Sequence, residues 1–139
     1  MTLRVQFVVP DGEIWSGTAE MVIAKTLDGD IGVLTGHTPV LGILAEGSVV
    51  RIIPEGATAE AQELVAAVNG GFFSVADDRV SILAQQARLG EQVDTRETRA
   101  ALDGALQALP TGTAEVDEPA DVRYYRALLR AAGNPADRA

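Results

Sequence analysis

The chain has 139 residues, 47% of them hydrophobic and only 4% aromatic, with no cysteine, one histidine and a formal net charge of −9. That describes one medium domain, or a domain plus an appendage, long enough for a real core and too apolar to be disordered over most of its length. It excludes disulfides, thiol nucleophiles and sulfur-ligated zinc, argues against nucleic acid and anionic lipid as partners, and offers no apolar run near the roughly 18 residues that cross a bilayer.

The start, MTLRVQFVV, has neither a cleavage-like small-residue pattern nor a basic amphipathic stretch. The mature protein is therefore expected to begin near Met1 and to stay where it is made. From Leu3 to about Ala84 apolar residues recur at every second position, beginning with Leu3, Val5, Phe7 and Val9 around Arg4 and Gln6. EMVIAKT, GSVVRII, ELVAAV and RVSILA repeat this strand period. Turn signals separate them: PDG at 10–12, LDGD at 27–30, TGHTP at 35–39, PEG at 54–56, NGG at 69–71 and the Asp77–Asp78 pair. Short strands at such spacing predict an antiparallel β-sandwich or barrel over residues 1–88.

After Gly90 the period becomes helical. Val93, Ala100, Leu102, Leu106 and Leu109 form one stripe, and VDTRE opens the helix with Asp94 as N-cap and Glu97 three residues on. PTGTAEVDEP at 110–119 cannot continue a helix. A second helix is expected from about Pro119 to Ala132 with Val122, Tyr125, Leu128 and Leu129 as its stripe, ended by Gly133. Residues 89–139 thus read as a two-helix hairpin whose first helix, with Gly104 at its middle, is weak by about 1 kcal/mol relative to alanine there. Stripes this narrow need the sandwich or another chain to cover them, so the hairpin reads as a movable element, with a permanently docked appendage as the alternative.

Few residues suggest chemistry. His37 sits in the glycine-punctuated loop GDIGVLTGHTPVL, residues 29–41, without a nucleophile elbow or a second imidazole nearby. A loop histidine that bonds local backbone or touches a partner is the favoured reading. Asp28 and Asp30, two apart, share one face of an extended segment, but no aromatic platform for a sugar accompanies them, and they read as a solvated acidic turn. NGGFF lacks the Lys and Ser/Thr of a phosphate loop and reads as a hairpin turn. Arg123, Arg126 and Arg130 lie on one edge of the second helix, open to a partner contact, an anion site or a plain solvated face.

Taken together, LRVQFVVPDGEIWSGTAEMV, GDIGVLTGHTPVL, NGGFFSVADDRVSILAQQA and VDTRETRAAL resemble, across the whole chain, the epsilon subunit of the rotary F-type ATP synthase. The resemblance implies an N-terminal antiparallel β-sandwich followed by a C-terminal two-helix hairpin, without catalytic residues. It implies a central-stalk rotor subunit whose sandwich joins the gamma subunit to the membrane ring of c subunits. The hairpin would regulate hydrolysis by extending toward the catalytic alpha/beta head or folding back. Location would be peripheral, on the cytoplasmic face of the cell membrane. Asp30 falls where the family turns an acidic residue toward the ring, and His37, with Gly36 and Pro39, at the gamma-side turn. Some members bind ATP through an aliphatic–Asp–two variable–Arg–Ala motif at the first helix. Here Val93 and Asp94 fit, but Glu97 and Thr98 stand at the arginine and alanine positions. No cofactor is therefore expected, and Asp94, Arg99, Arg126 and Arg130 are the residues a weak nucleotide contact would use. The rival from another class is a stand-alone β-sandwich ligand-binding domain with a helical tail.

Overall fold

The computed structural model describes residues 2–55, 63–109 and 119–133. Strands β1 Leu3–Val9, β2 Gly12–Thr26, β3 Gly29–Val33, β4 Val40–Ile43, β5 Glu46–Pro54, β6 Leu64–Asn69, β7 Gly71–Ala76, β8 Arg79–Ala84 and β9 Ala87–Leu89 come first. A 3-10 turn, Gly90–Gln92, leads to α1 Thr95–Gln107 and α2 Ala120–Ala131. The helix-breaking stretch expected at 110–119 lies, except for Pro119, outside the described residues, as does Gly56 of the PEG turn.

The strands join in the order β4-β7-β8-β1-β2-β5-β6-β9, with β3 also on β2. β2 serves both layers of the sandwich. Its first half lies against β1, and after a register shift between Ala19 and Met21 its second half lies against β3 and β5. One core fills the space between the layers, drawing Leu3, Val5 and Phe7 from β1, Val50 and Ile52 from β5, and Phe73, Val75, Val80 and Ile82 from β7 and β8. The alternation seen in the sequence is this inward-facing set.

Three details differ from the expected pattern. β1 and β8 run parallel, from Arg4 opposite Arg79 to Val8 opposite Leu83, inside an otherwise antiparallel arrangement. Parallel neighbours need a long crossover, and here everything between β1 and β8 supplies it. Secondly, NGG is not a hairpin turn: β6 pairs with β5 and β9, whereas β7 pairs with β4 and β8, so Asn69–Gly71 is a corner between layers. Thirdly, β9 carries strand structure to Leu89, one residue past the expected boundary at 88, and Leu89 is buried in the core.

The hairpin lies on the outer side of β5 and β6. Within β6, Ala66 and Val68 face the sandwich core, while Val65 and Ala67 sit beneath Tyr124, Ala127, Leu128 and Ala131 of α2. Burial on both faces explains why LVAAVN is a nearly continuous apolar run. α1 packs on α2 through Leu102, Val122 and Leu129. The Asp94 cap forms as expected, its Oδ1 accepting from the Glu97 amide at 3.0 Å. The stripes are rotated from those expected: Ala100 is exposed, Tyr124 is buried and Tyr125 only partly so. Backbone approaches closely at Gly90, where a β-carbon would collide with the Ala131 carbonyl group.

Candidate functional site

The residues singled out around His37 do not form one loop. β3 occupies the first five of them, Gly29–Val33. At its start, the Leu27–Asp28 turn is stapled by Thr26, whose hydroxyl donates to the Gly29 carbonyl (2.8 Å) and accepts from the Asp28 amide (3.1 Å). Asp30 is exposed beside this turn, opposite Lys25 on β2. Val33 ends the strand about 10 Å farther along, and the chain turns again at Leu34–His37.

That second turn has the geometry of a type II turn: the His37 amide donates to the Leu34 carbonyl at 3.2 Å, and Gly36 has φ +80°. Only glycine takes that third position without strain. The Gly36 amide donates to Asp78 Oδ1 at 2.7 Å, tying the turn to the β7–β8 hairpin. His37 is half-buried, with Nδ1 2.7 Å from the Thr38 carbonyl. A carbonyl only accepts, so in this bond Nδ1 is the donor. Thr38 and Pro39 are exposed. Asp30 and the Gly36–His37–Pro39 group therefore stand at opposite ends of β3.

Between those ends lies a feature the candidate residues did not include. On the outer face of β4, β7 and β8, Ile43 stands opposite Phe72 and Phe72 opposite Leu83, with Leu41 two residues along β4. All four are at least half exposed, Leu41 by 74%. Leu27, 68% exposed, extends the band to the acidic turn, its amide donating to the Ile43 carbonyl at 3.0 Å. Leu34, at the first position of the histidine turn, is also exposed. A run of large exposed apolar side chains bounded by polar turns is the kind of surface that marks an interaction site. The signal was present in the sequence: in adjacent Phe72 and Phe73 one ring must face outward, and VLGIL at 40–44 has no polar residue on either face.

The hairpin residues are not gathered into a pocket. Asp94 is engaged as the α1 cap. Arg99 lines an open cleft with Thr95, Arg96, Leu129, Ala132 and Gly133. Arg130 is turned the other way, its Nη2 donating to the Gly47 carbonyl at 3.0 Å, and Arg123 meets Glu46 at 3.3 Å. Arg126 is exposed on α2. Arg130 thus ties the helix to the start of β5, with the exposed Arg123–Glu46 pair beside it. Beneath the same helix, burial raises the pKa of Tyr124, partly offset by the nearby Arg88 guanidinium.

Comparison with known proteins agrees with this architecture. The family model described as ATP synthase, Delta/Epsilon chain, beta-sandwich domain matches residues 2–90. The ATP synthase epsilon chain of Thermobifida fusca (strain YX) is 50% identical over 132 residues, spanning 94% of this chain and 91% of that protein. That of Streptomyces coelicolor is 43% identical over 128 residues, spanning 92% and 97%. Among solved structures, a chain of the mitochondrial ATP synthase of Euglena gracilis, in an OSCP/F1/c-ring assembly, matches with TM-score 0.74 at 21% identity. The match covers 94% of this chain and 81% of that one, a likeness of fold.

Proposed function

This chain belongs to the ATP synthase epsilon chain family, and on that premise we propose that it docks on the gamma subunit of the central stalk and couples the membrane ring to the catalytic head. It is a non-catalytic subunit, and family membership sets aside the stand-alone ligand-binding sandwich. The observation that carries the docking reading is the exposed band of Leu41, Ile43, Phe72 and Leu83, continued by Leu27, with Leu34 exposed at the histidine turn. Covering each of these side chains is worth up to about 1.5–3 kcal/mol in proportion to the area still exposed. The polar ends give the band direction. In this reading the Asp30 end meets the polar loops of the c-subunit ring, and the Gly36–His37–Pro39 turn lies against gamma. The subunit sits peripherally on the cytoplasmic face of the membrane.

The hairpin has a regulatory part in the same proposal. Docked on β5 and β6 it is withdrawn; released, it extends toward the alpha/beta head and restrains hydrolysis. Nucleotide is not expected to be its trigger: Glu97 and Thr98 stand where the ATP-binding motif has arginine and alanine, Asp94 serves as the helix cap and Arg130 is turned toward Gly47. Replacing Leu41 or Phe72 by glutamate tests the docking face. Each change should lower affinity for purified gamma by about 100-fold or more, because an uncompensated charge would be buried. Thermal unfolding of the isolated subunit should be unchanged. Unaltered affinity in both variants would end the assignment of this face.

A further inference from the structure

The two-residue turn between β7 and β8, Asp77–Asp78, joins Ala76 to Arg79 with φ of 51° and 60° at its two central positions. Positive φ at both is the type I′ geometry that hairpins favour, and the second position is where glycine is best suited. Aspartate tolerates this conformation, though glycine takes it at lower cost, so the turn admits Asp78 without requiring it. Its side chain has a further partner. Asp78 Oδ1 accepts from the Gly36 amide at 2.7 Å across 42 residues of sequence, while its own carbonyl accepts from the Arg4 amide at 2.8 Å. A backbone amide held by a carboxylate is a charge-assisted bond, and here the amide belongs to the glycine that shapes the histidine turn.

We propose that Asp78 is a positioning residue, whose carboxylate holds the Leu34–His37 turn in the conformation that presents His37 to the partner subunit. The inference rests on the docking reading above. The turn has a second internal support in the bond from the His37 amide to the Leu34 carbonyl, but only Asp78 fixes it to the body of the sandwich among the bonds described for it. Losing this contact frees the turn to move as a unit without unfolding anything beneath it.

Asp78→Gly separates positioning from folding, because glycine suits the hairpin turn better while removing the carboxylate. Asp78→Asn keeps an acceptor oxygen without the charge and should restore part of the effect. Three measurements are made on the full chain: exchange of the Gly36 amide by nuclear magnetic resonance, the unfolding midpoint, and affinity for purified gamma, with His37→Ala as control. In Asp78→Gly the Gly36 amide should exchange faster and gamma affinity should fall about five- to tenfold, with the midpoint not lowered. Asn at this position should fall between. A Gly36 amide that behaves as in the wild type overturns the proposal. If His37→Ala weakens gamma binding and Asp78→Gly does not, the turn docks without needing Asp78, and the proposal again falls. If neither variant changes affinity, the docking role of the turn itself is wrong, and the positioning role falls with it.

Discussion

Replacing Gly90 by alanine should undock the hairpin while leaving the sandwich folded. A β-carbon at Gly90 would stand 2.6 Å from the carbonyl carbon of Ala131 and nearer still to its oxygen. Both are helix backbone, which cannot swing aside as a long side chain can. Gly90 is equally fixed, since it follows directly on β9, whose Leu89 is anchored in the core. The end of α2 must therefore retreat by about 1.5 Å to restore ordinary contact. A gap of about 0.5–1 Å forfeits a quarter to a half of each contact's dispersion energy. The loss falls on the seam where Tyr124, Ala127, Leu128 and Ala131 meet Val65 and Ala67. Overpacking of this kind costs about 1–3 kcal/mol, enough to lower the docked-to-released ratio about 5- to 150-fold. Hydrogen exchange of the isolated subunit reads this directly. Amides of α2 should lose protection by that factor, while those of β1, β5 and β8 keep theirs. In the assembled enzyme the same variant should hydrolyse ATP more slowly than wild type. Unchanged protection of α2, or an equal loss in helix and strands, would show that Gly90 does not control docking of the hairpin.

Truncation after Gly90 should leave a domain that unfolds cooperatively, because the core between the layers is built from residues 3–89; loss of a cooperative thermal transition would show that the hairpin completes the core. Burial holds the pKa of Tyr124 above its ordinary value of 10.0, so the folded state keeps that proton more tightly than the unfolded chain. Its contribution to docking is fully present below pH 10 and is lost as pH rises from there through the folded-state pKa. Near-ultraviolet titration of a Tyr125→Phe variant, which leaves Tyr124 as the only phenol, should show ionisation above pH 10 together with loss of α2 protection; ionisation at the ordinary value with α2 unaffected would contradict this.

What the sequence disclosed depended on how local the determining physics was. The alternation of Leu3, Val5 and Phe7 reports the inward face of β1 directly, and Asp94 three residues before Glu97 marks the start of α1 because capping is settled within one turn. The bounds of α2, with Pro119 before it and Gly133 after it, were legible for the same reason. Partner choice between distant strands was not. Nothing near Val8 indicates that it lies parallel to Leu83 rather than antiparallel to some other strand. The separation of Asp30 from His37 was hidden because β3 contains Gly29 and Gly32, which mask a five-residue strand as loop. Tyr124 and Tyr125 are adjacent, and about 100° of rotation around the helix decides which is covered. That rotation is set by the small residues of β6 and by the close approach at Gly90, both far away in sequence. The roles of Arg123 and Arg130 follow from the same docking: their targets, Glu46 and Gly47, matter only once α2 lies on β5.

The most direct test of the account is the company the chain keeps when purified through a tag from membranes of a cell that makes it, with composition determined by native mass spectrometry. Co-purification with the ATP synthase is expected, and after the ring and the alpha/beta head are stripped away the chain should remain bound to gamma. Recovery of the chain alone, or with ring or head but without gamma, would contradict the central claim.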